Sequence, residues 1–166
     1  MKCREIIEIL ETLAPKSCAC DWDNPGLLAG RMDKDVKKIL LTLDADDAAV
    51  ERAKEIGADM LLSHHPLIFK PVKHVSDEDF IGRRLVSLIQ ADVSYYAMHT
   101  NFDSAPGCMA DIVADRLNFV DQKPLELMGE LSGTAYGIGK TGTLKKPMTG
   151  PELAREVKNR FGLPFV

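Results

Sequence analysis

The chain has 166 residues, 45% of them apolar and 28% charged, with a formal net charge of −4. That length can bury one good core, or one domain and part of another, and the charge excludes a generic phosphate-backbone binder, whose affinity rests on clustered Lys and Arg. No apolar run approaches the roughly 20 residues of a membrane helix, and Met1-Lys2-Cys3-Arg4-Glu5 lacks a secretory apolar stretch, so a cytoplasmic protein without membrane or nucleic-acid partners is expected.

Ile6, Ile9, Leu10 and Leu13 recur at helical spacing and predict an amphipathic first helix closed near Pro15. Cys18-Ala19-Cys20 is too closely spaced for a zinc knuckle, and all four cysteines read as reduced thiols. Trp22, the only tryptophan, precedes the Asp23-Asn24 turn and is expected to pack rather than bind ligand. Asp23-Asn24-Pro25-Gly26 is turn chemistry leading into a short strand at Leu27–Ala29. Ile39 to Leu43 is a β-rich run, expected to be a central strand closed by Asp44. Asp46 and Asp47 then suit the N-terminus of a helix packed through Ala49, Val50, Ala53 and Ile56. A strand at Met60–Ser63, a helix bearing Phe80, Ile81, Leu85, Leu88 and Ile89, a strand at Val93–Met98, and a helix with Met109, Ile112, Val113 and Leu117 follow.

Such alternation predicts an α/β fold with a mostly parallel or mixed sheet and helices on both faces. The pattern changes near Pro124, so a first domain over residues 1–125 and the start of a second α/β domain over 126–166 are expected. The second opens with a strand pair around Thr134–Leu144 and closes with a helix carrying Leu153, Val157 and Phe161, with Thr149 and Glu152 set for a capping box. Gly137-Ile138-Gly139-Lys140-Thr141 is not a P-loop. That motif needs a glycine five positions before the Gly-Lys pair, where this chain has Thr134, and the glycines instead suit a tight strand turn.

Three of the four histidines fall in two short stretches, Ser63-His64-His65-Pro66 and His99-Thr100-Asn101-Phe102-Asp103, each directly after an apolar run. Both clusters belong at strand ends, where open α/β sheets place ligands. Imidazole and carboxylate together suit zinc, iron, nickel or manganese. Successive side chains of a regular strand point to opposite faces, so His64 and His65 are expected to serve different ions of a close pair, with Asp103 as a further ligand. The remaining histidine, His74, reads as a surface residue, and Asn24 as a turn residue at the cleft.

Four segments taken together identify a resemblance: Asp23-Asn24-Pro25-Gly26-Leu27, Ser63-His64-His65-Pro66-Leu67-Ile68-Phe69-Lys70-Pro71, His99-Thr100-Asn101-Phe102-Asp103 and Tyr136-Gly137-Ile138-Gly139-Lys140-Thr141-Gly142. In this order they resemble the successive motifs of the NIF-three-like family (Ngg-one-interacting factor three), also called GTP cyclohydrolase I type 2 homologs. The resemblance implies an α/β fold, two divalent metal ions per complete site and a ring-shaped homohexamer. Carried over residue by residue, it implies metal ligation by His64, His65 and Asp103, with His99 beside the site as a further ligand or as a partner to one. One loop departs from the family's P-G-G-x-N-D pattern: here it is Pro106-Gly107-Cys108-Met109-Ala110-Asp111. The resemblance also implies a later histidine and glutamate that this chain does not carry, so the 166-residue chain by itself is expected to bind one ion or none.

Two functions of different classes follow. One is a metal-dependent hydrolase acting on a nucleotide-like or other small substrate, since a metal pair activates water and polarises the bond under attack. The other is a metal-binding scaffold whose role is regulatory interaction with protein partners.

Overall fold

The computed structural model describes residues 1–166 and divides into two compact units, Met1–Phe102 and Asp103–Val166. The first opens with helix α1 (Cys3–Leu13), followed by strands β1 (Gly26–Ala29) and β2 (Ile39–Thr42) and helix α2 (Asp47–Glu55). It continues through β3 (Met60–Ser63), α3 (Phe80–Gln90) and β4 (Ser94–Ala97). A short helix, α4 (Thr100–Ser104), runs across the boundary, and the second unit holds α5 (Met109–Arg116), β5 (Val120–Leu131), β6 (Thr134–Thr143) and α6 (Gly150–Phe161).

The first unit is built on a four-stranded sheet ordered β1-β4-β3-β2. β2, β3 and β4 run parallel, and β1 adds antiparallel to β4, so the sheet is mixed. Period-2 alternation sorts the two central strands. Leu61, Tyr95 and Ala97 face a core shared with Val50 and Ala53 of α2 and Leu85 and Leu88 of α3. Tyr96 points the other way and donates its hydroxyl to Glu11 of α1 at 2.7 Å. Helices therefore cover both faces. All four residues of β4 are buried, as a strand with neighbours on every side requires.

The apolar stripe of α1 differs from the one its sequence predicts. Cys3, Ile6, Ile7 and Ala14 are buried, whereas Ile9 and Leu13 are exposed. At 100° per residue the buried set centres on Cys3 and Ala14, which leaves Ile9 and Leu13 on its flank. β2 is an edge strand rather than a central one. Its Ile39 and Leu41, and Leu43 just beyond its end, stand exposed at alternate positions. Asp44 therefore leaves an edge of the sheet. Helix α2 starts as expected, with Asp46 as N-cap accepting from the Ala49 N–H at 2.8 Å. Asp47 instead pairs with Arg84 at 2.7 Å.

The boundary between the units falls at Phe102 and Asp103, earlier than the expected break near residue 125. Its cause is α5, which packs on β6 and so joins the hairpin. The hairpin turn is Ser132-Gly133, both with positive φ, the signature of a two-residue turn between twisted strands. Gly137 and Gly139 lie inside β6 and not in a turn. A Cβ at Gly137 would sit 1.9 Å from the Glu126 carbonyl oxygen, so close backbone approach demands glycine there. α6 carries the expected capping box, with Glu152 accepting from Thr149 N–H at 2.7 Å. No helix is long and apolar enough to cross a membrane.

Candidate metal centre

β3 and β4 are adjacent and parallel, in register from Met60 with Ser94 to Ser63 with Ala97. Their carboxyl ends therefore release His64-His65 and His99 side by side. The ladder runs on past β3: His65 N–H donates to Leu43 O at 3.0 Å and Met98 N–H to Ser63 O at 2.9 Å. The loop that follows hangs on the buried Tyr95 hydroxyl. That oxygen accepts the Leu67 N–H at 2.7 Å, meets Ser63 Oγ at 2.8 Å and donates to the His65 carbonyl at 3.2 Å. Burial pushes the Tyr95 hydroxyl above its ordinary pKa, so it stays protonated and can donate.

The three imidazoles converge. Ring centroids are 4.8 Å apart for His64 and His65, 5.2 Å for His64 and His99, and 5.6 Å for His65 and His99. One nitrogen from each lies within 4.8 Å of the other two. His64 and His65 meet because both lie beyond Ser63, where β3 ends, so strand alternation no longer separates them. Each Nδ1 is engaged: His64 with the Met98 carbonyl at 2.9 Å, His65 with Asp44 Oδ1 at 2.8 Å, and His99 with Asp23 Oδ1 at 2.9 Å. A carbonyl or carboxylate only accepts, so Nδ1 carries the proton and the lone pair of the neutral ring is on Nε2. This is how protein structures orient histidine ligands. The three residues could hold a metal ion.

The carboxylate partners differ in setting. The Asp23 side chain is fully buried, while Asp44 and His65 are about half exposed. Burial pushes the Asp23 carboxyl up, but hydrogen bonds from His99, Thr100 and Asn24 together outweigh it and hold it below the ordinary range. Thr100 supplies its N–H at 3.0 Å and its hydroxyl to Asp23 Oδ2. Asn101, fully buried, accepts the His99 N–H at 2.9 Å and donates to the Ala14 carbonyl at 2.8 Å. The His99-Thr100-Asn101 segment is thus fixed residue by residue. Asn24 ties the opposite wall to the Ile68 carbonyl at 2.7 Å.

Trp22 packs at the surface rather than in the core. It is 61% exposed, with its indole 5.8 Å from the Phe69 ring and edge-on to His99 at 6.3 Å. His74 is a surface residue, 3.8 Å from Asp79. Asp103 is the first residue of the second unit and there lines a cavity with Met109, Val113 and Lys140. Its place among the metal ligands rests on the sequence motif. Sequence reasoning passed over Asp23 as an imidazole partner. The usable signal was its place at the head of Asp23-Asn24-Pro25-Gly26-Leu27, one of the four segments that carry the family resemblance.

The whole chain, residues 1–166, matches the family Duf34/NIF3 (NGG1p interacting factor 3). A Clostridium perfringens protein named GTP cyclohydrolase 1 type 2 homolog is 35% identical over 168 residues, covering 98% of this chain and 62% of that protein. A Methanocaldococcus jannaschii protein of the same name is 35% identical over 146 residues, covering 87% and 56%. Among solved structures, a Staphylococcus aureus protein superposes with a TM-score of 0.84 at 26% identity, covering 99% of this chain and 66% of that one. Reduced HcgD from Methanocaldococcus jannaschii gives 0.82 at 33% identity, covering 96% and 60%. This chain spans 62% of the length of its Clostridium relative and 56% of its Methanocaldococcus relative. The fold, the ordered motifs and these likenesses agree: the chain belongs to the Duf34/NIF3 family.

Proposed function

We propose that the chain supplies the histidine part of a divalent-metal site and that the complete protein is a metal-dependent hydrolase of a small substrate. The observation that carries this is the shared orientation of three imidazoles, each with Nδ1–H given to a carbonyl or carboxylate. Three neutral nitrogens suit zinc, iron, nickel or manganese. The nitrogens all lie within 4.8 Å of one another, close enough to hold an ion, and the family resemblance is what points to a close pair. Asp103 joins the proposed ligand set through the family motif. When bound, such ions lower the pKa of water and polarise the bond to be cleaved.

The chain's own residues supply orientation and charge. Asp23 and Asp44 fix the tautomer and ring orientation of His99 and His65 by accepting their Nδ1 protons. The His65–Asp44 pair is open to solvent, whereas the Asp23 side chain that orients His99 is closed from it. The relatives named GTP cyclohydrolase 1 type 2 homolog suggest a nucleotide-like substrate. The exposed Ile39, Leu41 and Leu43 at a sheet edge support the homo-oligomeric ring that the family resemblance implies, since an apolar edge favours cover.

Calorimetry with metal analysis tests the site. The 166-residue chain should take up no more than one divalent ion, with that uptake lost in His65→Ala and His99→Ala. Unchanged uptake in both variants would end the metal reading. Hydrolase and scaffold separate in the longer relatives, where metal-dependent turnover lost with the matching histidine while the oligomer persists marks the enzyme.

A further inference from the structure

Beside His65 the first unit opens a cavity of about 630 Å³, within the range of small-molecule sites. Its apolar lining is Pro66, Leu67 and Ile81 with Phe69 and Phe80. The two phenylalanines are 46% and 54% exposed, a large aromatic area open to solvent next to a candidate reactive centre. Aromatic side chains in such a setting favour a flat ring, by stacking or edge contact.

The charges are few and most are already committed. Two carboxylates, Asp44 and Asp46, and two cations, Lys70 and Arg84, border the space. Asp44 accepts from His65, and Asp46 caps α2. Arg84 is fixed on two sides: its Nε donates to Asp47 at 2.7 Å, and its guanidinium carbon lies 5.0 Å over the Phe80 ring. That leaves its terminal nitrogens for a ligand, with the Lys70 ammonium on the same lining. Together they suit one carboxylate or phosphate. A polyphosphate would bring several negative charges to a lining whose formal charges already cancel.

We infer that this cavity binds a small molecule made of one flat apolar ring system and a single anionic group, and that it rejects polyphosphates. Naming this molecule as the substrate of the metal centre rests on the function proposed above; the cavity itself needs no ion.

The test is a binding titration followed by saturation-transfer NMR, with 2-naphthoate as probe, 2-naphthol as its uncharged counterpart and ATP as competitor. Each is run once in a chelator and once with a divalent ion. 2-Naphthoate should bind in both conditions, so a failure of the metal reading alone leaves the result intact. Lys70→Gln should weaken 2-naphthoate roughly 5- to 10-fold, as loss of a charge-assisted contact does, and leave 2-naphthol unchanged. Phe80→Ala and, independently, Phe69→Ala should weaken both. All three replaced side chains are solvent-exposed, so the variants should fold, which circular dichroism checks. Absence of 2-naphthoate binding, affinity unchanged in the variants, or displacement by equimolar ATP would each overturn the inference.

Discussion

His99 and Asp23, 76 residues apart in the chain, meet Nδ1 to Oδ1 at 2.9 Å. The carboxylate is fully buried and also receives the N–H groups of Asn24 and Thr100. Asp23→Asn keeps the size but turns one acceptor into a donor that faces other donors. Divalent-metal affinity should fall roughly 10- to 100-fold, and stability by about 1–3 kcal/mol. Calorimetric titration and urea denaturation read the two effects. Asp44→Asn should lower affinity with little loss of stability, because that pair is open to water.

Tyr95→Phe removes one oxygen that serves Ser63, Leu67 and His65. The Leu67 N–H then lacks its acceptor in a buried setting. A loss of about 1–3 kcal/mol is expected, with faster amide exchange at Leu67. If exchange there matches the wild type, the loop does not hang on this hydroxyl.

Asp59 gives the clearest pH dependence. Its carboxylate accepts the N–H groups of Lys37 and Lys38 at 2.8 and 3.0 Å. The Lys37 bond leads in holding its pKa below the ordinary value, against the opposing effect of burial. The folded state therefore binds fewer protons than the unfolded chain near the ordinary carboxylate pKa. The contribution is fully present above that value and is lost as pH falls through the lower folded-state pKa. Asp59→Asn should cost about 1–2 kcal/mol at neutral pH, and the gap from wild type should close in acid. Denaturant midpoints over a pH series measure it.

Gly82→Ala in α3 should reverse the usual gain from replacing a helical glycine. A Cβ there would stand 1.9 Å from the Ser76 carbonyl oxygen, which is backbone. Instead of the roughly 1 kcal/mol stabilisation that propensity predicts, a loss of about 1–3 kcal/mol is expected from overpacking. Thermal denaturation decides the sign.

Where apolar runs are short and bracketed, the sequence is a good guide. Met60–Ser63 is a strand with the same bounds, and the two histidine segments stand at strand ends as their positions imply. The carboxylates are less legible. Asp23 reads as turn chemistry, since a turn former and a buried acceptor are the same residue type, and only the fold brings His99 to it. Asp44 reads as the end of a central strand because Ile39 to Leu43 is apolar at every position but Thr42. Outward-facing leucines on an edge give the same pattern as inward-facing ones. The unit boundary is hidden for a related reason: nothing in the α5 sequence says which sheet its apolar side will join.

Trp22 gives the molecule an optical handle. As the chain's only tryptophan, it is the sole indole emitter, and it lies edge-on to one imidazole of the cluster at 6.3 Å. At the proposed metal centre an open-shell ion held by His99 should dim that emission, and a closed-shell ion of the same charge should dim it far less. Metal uptake there is thus expected to be readable as light from the unlabelled protein, without any knowledge of the substrate.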